Sequence, residues 1–333
     1  MLWTPGRTTT EPLEPLNAEE LRLEAQLHDD VITVADRVGE RNVDFKPEKL
    51  DEAARFIESS FRLAGYEPKS QWYRIGKTDC RNIECEIRGA ERPGEVVIIG
   101  AHYDSVPGSP GADDNASGVA VILALARLFA GATPKRTLRF VGFANEEPPY
   151  FWHDTMGSLV YARKVRQQGD RATAMLSIES VGFYSTVPNS QKYPAGLGLI
   201  YPSIGNFVAF VGNVSSRSLV HETVRTFRSV PALPSMGVAV PNAIPGVGWS
   251  DHWSFWQQGF SALEVTDTAP YRNPYYHTAM DMPDRLDYGR LARLTWALRR
   301  VIAELAQAPD NARKPGRRDD SVWAARRSAT WHS

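Results

Sequence analysis

The sequence predicts an α/β domain with a mixed, mostly parallel central β-sheet flanked by helices on both faces. Two observations carry this. Short apolar runs alternate along the chain with segments of helical spacing, the arrangement that buries a sheet between helix layers. The clearest run, residues 96–99, is β-branched throughout and bounded by Gly94 and Gly100, as a strand covered on both faces would be. A chain of 333 residues with 42% hydrophobic content has enough material for one large core.

Taken in order, residues 18–39 show helical spacing through Leu21, Leu23, Leu27, Val31, Ile32, Ala35 and Val38. A second helix is expected over 47–64, with Pro47 suited to its first turn and Gly65 to its stop. Residues 82–87 and 96–99 read as strands. A helix over 116–129 is opened by Asp114 and Asn115, either of which can cap it. Then come a strand over 137–143, a helix over 156–167, a strand over 174–178, a helix over 218–227 and a strand over 261–265. Leu291, Leu294, Leu298, Ile302 and Leu305 line one side of a closing helix, 286–307. The stretches 188–217 and 231–250 are rich in Pro, Gly and Ser and read as long loops, which inside a compact domain are usually functional. Residues 1–17 read as a flexible extension, 18–308 as a single domain, and 309–333 as a disordered tail whose Arg, Asp, Pro and Ala follow no period.

Lysine and arginine number 38 against 39 acidic residues, and the pI is ≈ 6.7. That balance gives no reason to expect nucleic acid or an anionic membrane surface as a partner. No stretch is apolar enough to cross a bilayer. The first residues lack the apolar run of a signal peptide. The two cysteines, Cys80 and Cys85, are too few for a disulfide framework and are expected as free thiols. On these grounds the expected location is the cytoplasm.

The informative feature is that acidic and histidine residues fall at the ends of expected strands, where ligands gather in open α/β sheets. His102 follows the strand 96–99, and Asp104 stands where it can hold the other ring nitrogen and fix the tautomer. In 111–118, Asp113 and Asp114 precede a helix. An N-cap explains one of them and leaves a second carboxylate, set among small residues, available to bridge two metals. Glu146 and Glu147 end an apolar strand and are followed by Pro148, Pro149, Tyr150, Phe151 and Trp152, a poor setting for an exposed acidic turn. Neighbouring side chains point apart, so one can bind metal while the other faces a water. Glu179 closes the strand Leu176-Ser177-Ile178, and Tyr275-Tyr276-His277-Thr278 brings a second histidine, with Asp281 shortly after.

Two histidines and three carboxylates suit zinc, and a paired site needs one bridging carboxylate. Zinc lowers the pKa of a bound water to about 7, and a free glutamate within reach serves as general base. No GxSxG elbow and no Walker-type phosphate loop accompany these residues. Asp251-His252 does not suggest a Ser-His-Asp triad, because adjacent residues rarely reach that geometry, and His252 is expected to be structural.

In order and rough spacing these segments resemble the M28 family of zinc peptidases, which includes bacterial aminopeptidases. The matching residues are His102-Tyr103-Asp104-Ser105, the stretch 111–118, Asn145-Glu146-Glu147, Ser250-Asp251-His252 with Phe255-Trp256, and Tyr276-His277-Thr278 with Asp281. The resemblance covers about residues 20–307. It implies a mixed eight-stranded sheet between helices, two zinc ions, and cleavage of the N-terminal residue of a peptide substrate through a metal-bound hydroxide. It also implies roles. His102 and Glu147 would be terminal ligands, Asp114 the bridge, and His277 with Glu179 the holders of the second metal. Glu146 would be the general base, Asp104 would stand behind His102, and Tyr276 would donate a hydrogen bond to the oxyanion. Asp113 would not bind. Position 179 is commonly Asp in the best-known members; Glu179 keeps the carboxylate on an arm one methylene longer, which bears on the geometry of the second metal.

Two other readings fit the same fold. A glutaminyl cyclase, a relative with one zinc, would release ammonia from glutaminyl peptides without cleaving them. A non-catalytic binding domain, like the transferrin receptor ectodomain, typically lacks part of a ligand set that is whole here. The loops around 150–153 and 189–201 are expected to shape the substrate pocket.

Overall fold

The computed structural model describes residues 2–4, 6, 13–194, 196–230 and 232–308. The strands are β1 Leu2–Thr4, β2 Lys69–Ile75, β3 Thr78–Ile87, β4 Arg92–His102, β5 Arg136–Phe143, β6 Arg171–Glu179, β7 Val208–Asn213, β8 Ser235–Val240 and β9 Ala262–Thr266. They form one mixed sheet of nine strands in the order β1-β8-β7-β9-β6-β4-β5-β3-β2. Its centre, β5-β4-β6-β9, runs parallel, while the β2–β3 hairpin and the β7–β9 pairing are antiparallel.

The helices are α1 Ala18–Val31, α2 Pro47–Leu63, α3 Gly118–Phe129, α4 Gly157–Gln167, α5 Arg217–Phe227, α6 His252–Gln257, α7 Ala269–Arg272 and α8 Tyr288–Ala306. β4 shows how one apolar run feeds both faces of the sheet. Val97, Ile99 and Ala101 join the core under α1, α2, α3, α5 and α8, while Val96 and Ile98 join the smaller core under α4 and α6. Side chains alternate along a strand, so a strand covered on both sides must be apolar throughout.

Local signals place the helix ends. Asn17 and Glu20 form a reciprocal capping box at the start of α1, which continues as a π-helical segment, Ile32–Val38, and stops at Gly39 with φ +78°. Pro47 opens α2, and Gly65 follows it at φ +91°, a conformation glycine adopts at no steric cost. In α8, Leu291, Leu294, Leu298 and Ile302 are fully buried, each contributing about 1.5–3 kcal/mol of hydrophobic stabilisation.

The sheet has four strands beyond the five that the sequence predicts, β1, β2, β7 and β8. β2 was not predicted because its residues alternate between exposed and half-buried at a sheet edge, so it lacks an apolar run. β7 and β8 lie inside the stretches 188–217 and 231–250, which were expected to be loops. Their short apolar cores are diluted by the Pro, Gly and Ser around them. The extension expected over 1–17 contributes β1, whose pairing with β8 takes the count from the expected eight to nine. The tail 309–333 lies outside the described residues. Among the described residues no helix is long and apolar enough to cross a membrane. Cys80 and Cys85 are both buried in β3 as free thiols.

Candidate metal centre

Three parallel strands deliver their carboxyl ends to one edge of the sheet. His102 is the last residue of β4 and lies in register with Phe143, the last of β5; Glu146 and Glu147 follow just beyond it. Glu179 is the last residue of β6 and pairs with Thr266 at the end of β9. Asp114 comes from the turn that leads into α3, and His277 from the loop after α7. That turn lies close against β6. A Cβ on Gly118 would stand 2.4 Å from the Ile178 carbonyl oxygen, so only glycine permits the approach.

The side chains converge on Asp114. Its Oδ1 is 3.1 Å from His102 Nε2, which is also 3.1 Å from Glu179 Oε2. Its Oδ2 is 3.0 Å from His277 Nε2, which is 3.3 Å from Glu147 Oε2. One carboxylate therefore joins two triplets, His102–Asp114–Glu179 and His277–Asp114–Glu147. This corrects the expected pairing, which set His277 with Glu179 and His102 with Glu147. β4 lies between β5 and β6, and Glu179 ends β6 itself whereas Glu147 sits in the turn beyond β5. Across the bridge, one ligand atom each from His102, Asp114 and Glu147 lies within 4.8 Å of the others.

The donor set fits divalent metal. His102 has no exposed surface, yet neither of its ring nitrogens makes a hydrogen bond, and Glu147 Oε1 is equally unsatisfied. Each such buried orphan costs about 1–3 kcal/mol unless something completes it. Two imidazoles and three carboxylates are donors that zinc accepts. Electrostatics records the same crowding. Burial opposes a charge on His277, but Asp114 and Glu147 hold its pKa up to about 10. Burial likewise opposes a charge on His102, yet Glu179, Asp104 and Asp114 raise its pKa well above the ordinary value. Burial and the neighbouring acid Asp114 push Glu147 up to about 8.

Glu146 is buried beside this cluster. Burial first, and then the charges of Glu147, Glu179 and Asp251, hold its carboxyl well above the usual range. Its backbone N–H and that of Glu147 both donate to the Asp104 carboxylate at 3.1 Å. Asp104 Oδ1 also lies 3.4 Å from His102 Nδ1. It thus stands behind His102, as expected, and also fixes the turn that carries both glutamates. Tyr276 stacks on His277 with ring centroids 3.8 Å apart.

Several supporting residues had been noticed without a role, or missed. Asp281 accepts the backbone N–H groups of Asp113 and Asp114 at 3.0 and 3.1 Å. Asp113 accepts from Gly182 N and Asn273 Nδ2, both at 2.8 Å, and so ties the bridging turn to two other loops. Ser180 and Ser250 donate to the two oxygens of Glu179 at 2.9 and 2.8 Å. Arg41, fully buried, donates to the carbonyls of Tyr103, Pro110 and Gly111 and clamps the 103–111 segment. Nothing local in the sequence marks Arg41. His252 is structural: its Nε2 lies 2.8 Å from the Val247 carbonyl oxygen, and burial lowers its pKa to about 4.

A cavity of ≈ 100 Å³ opens beside the centre, with Glu179 and Tyr276 in its wall. Its apolar lining comes from β7 and β8, from the 191–201 loop and from Pro245, Val247 and Trp249. Gln191, Lys192, Tyr193, Pro194, Leu197 and Tyr201, from the stretch expected to shape a substrate pocket, line this cavity. Residues 150–153 do not line it; Trp152 instead packs on Phe151 and lies near Trp253, with its ring N–H donating to Gly248 O.

The model of Peptidase family M28 matches residues 82–302. The chain is 36% identical to the uncharacterized protein YfbL of Escherichia coli, over 85% of this chain and 87% of that protein. It is 31% identical to a probable leucine aminopeptidase of Arthroderma otae, over 69% of this chain and 58% of that longer protein. A zinc aminopeptidase from Bacillus subtilis, BSAP, superposes with a TM-score of 0.65 at 14% identity, covering 84% of this chain and 94% of that one. A glutaminyl cyclase from Bacteroides thetaiotaomicron reaches 0.61 at 16% identity, over 84% of this chain and 97% of that one. These two likenesses concern the fold.

Proposed function

The chain belongs to peptidase family M28, and from that premise we propose a two-zinc aminopeptidase in which Asp114 bridges the metals and Glu146 is the general base. It is a metallo-aminopeptidase acting on peptides. The observation that carries the two-metal reading is the division of the Asp114 carboxylate between His102–Glu179 and His277–Glu147.

His102, Glu179, Asp114, Glu147 and His277 would hold the two ions. Zinc there supplies Lewis acidity, acidifying water to a pKa of about 7 and polarising the scissile carbonyl. Glu146 takes a proton from the attacking water as the new C–O bond forms. It then returns that proton to the departing amine as the C–N bond breaks. Its raised proton affinity, set by burial and neighbouring acids, suits a group that must hold the proton between those two events. Tyr276, beside His277, donates a hydrogen bond to the oxyanion of the tetrahedral intermediate. Asp104 holds the Glu146–Glu147 turn and lies behind the His102 ring.

The test separates base from ligand. Glu146→Gln keeps size and polarity but cannot accept the proton. It should retain zinc while kcat falls by roughly 10²–10⁴-fold. Glu147→Gln should lose zinc. An exchange of these outcomes would exchange the two roles, and an unaltered rate in both would place the chemistry elsewhere.

The glutaminyl cyclase reading draws on the shared fold. A complete His102–Glu179 half favours two metals over the single zinc expected of that activity. Ammonia released from glutaminyl peptides without cleavage would reverse this preference. The cytoplasmic location expected from the sequence stays part of the proposal, and cell fractionation tests it.

A further inference from the structure

β9 carries an acid that the mechanism leaves unused. Along this strand Leu263 and Val265 enter the main core, while Glu264 and Thr266 face the other way, into the cavity beside the metal centre. Glu264 is 5% exposed. Among the described residues no basic side chain forms an ion pair with it and no hydrogen bond is made to its carboxylate. The cavity's lysine, Lys192, is exposed and does not reach it. An unpaired carboxyl this deeply buried is expensive unless a partner arrives with the ligand.

The register sets its depth. Thr266 pairs with Glu179 and Glu264 with Ser177, so Glu264 lies two residues further down the strand than the metal-binding level, about 7 Å. Met236 stands level with Thr266 and Val211 and Val238 level with Glu264, and with Tyr201 and Phe207 they give the cavity apolar and aromatic walls. A pocket that begins at a metal centre, runs between apolar walls and ends at one acid matches a long aliphatic stem with a cationic head.

Resting on the aminopeptidase reading, we propose that this cavity receives the side chain of the substrate's N-terminal residue and that Glu264, at its floor, selects lysine or arginine over leucine. A leucine side chain stops short and leaves the Glu264 carboxyl dehydrated and unpartnered. A lysine places its methylenes against the walls and its ammonium at the acid.

The experiment uses the zinc-loaded full chain with p-nitroanilides of lysine, arginine and leucine, and calorimetric binding of free lysine against norleucine, which has the same stem without the ammonium. The wild type should turn over lysine and arginine faster than leucine, judged by kcat/KM, and bind lysine more tightly than norleucine. Glu264→Gln should lower kcat/KM for the basic substrates on the order of 100-fold and raise it for leucine, so that the ratio inverts. If the variant does not fold, the wild-type lysine-to-leucine and lysine-to-norleucine ratios decide alone. A wild-type preference for leucine, or a ratio that Glu264→Gln does not move, overturns the proposal and leaves the aminopeptidase reading standing. Lysine binding that depends on Glu264 without turnover of any anilide upholds the pocket and removes that reading. Absence of both turnover and Glu264-dependent binding overturns the pocket as well.

Discussion

The two side-chain triplets that share Asp114 are built differently. His102 ends a central strand with no exposed surface, and its partner Glu179 is braced by Ser180 and Ser250. His277 stands on a loop with backbone φ +58° and 31% of its side chain exposed, held against Tyr276 by stacking. A strand end is fixed wherever the sheet fixes the backbone, so the His102 half is organised by folding itself. The His277 half depends on local contacts and lies nearer solvent. One triplet is thus set by the sheet and the other by a loop nearer the surface.

The most damaging change removes what the halves have in common. Asp114→Ala should strip both triplets at once, leaving little zinc per chain and no measurable peptidase activity. A variant that keeps one full equivalent of zinc would show that the halves do not depend on a shared carboxylate.

Replacing one partner in the buried half should have an intermediate effect. Glu179→Ala deletes a carboxylate that two serines hold beside His102. It should weaken one zinc far more than the other. Glu179→Asp keeps the donor type on a shorter arm and should stay active with altered binding at that same metal. Zinc titration of both variants checks this, and unchanged metal content in the Ala variant would remove residue 179 from the ligand set.

A smaller effect should appear beside the centre. Burial depresses the His252 pKa to about 4, against an ordinary value near 6.5. Between those values the unfolded chain binds the proton that the folded one refuses. This contribution is therefore complete above pH 6.5, is lost as pH falls towards 4, and changes no further below that. The loss amounts to about 3 kcal/mol at most. Relative to His252→Gln, the wild type should lose stability over that window in denaturant titrations. Parallel curves for the two proteins would show that His252 is not held neutral in the fold.

Legibility from sequence follows the same divide between rigid and loop-borne parts. The helix opened by Pro47 and the run 96–99 were readable because local chemistry and burial agree there. The candidate donors could be picked out because charged residues at the ends of apolar strands have few structural uses. Which of them approach one another was not readable, since it depends on where β4, β5 and β6 end in the sheet. β7 and β8 were hidden in Pro- and Gly-rich stretches, and with them went the wall of the pocket. Glu264 lay inside an expected strand, 261–265, and only its facing direction places it in the cavity wall. Arg41 acts through backbone carbonyls scattered over the 103–111 segment, a pattern no local motif encodes.

The central claim, two zinc ions bridged by Asp114, is tested most directly by adding zinc to metal-free protein while recording bound metal and aminopeptidase activity together. The expected result is no activity at the start and saturation at two zinc per chain, with the two equivalents binding unequally because the halves are built unequally. Saturation at one zinc, or full activity before any zinc is added, would contradict it.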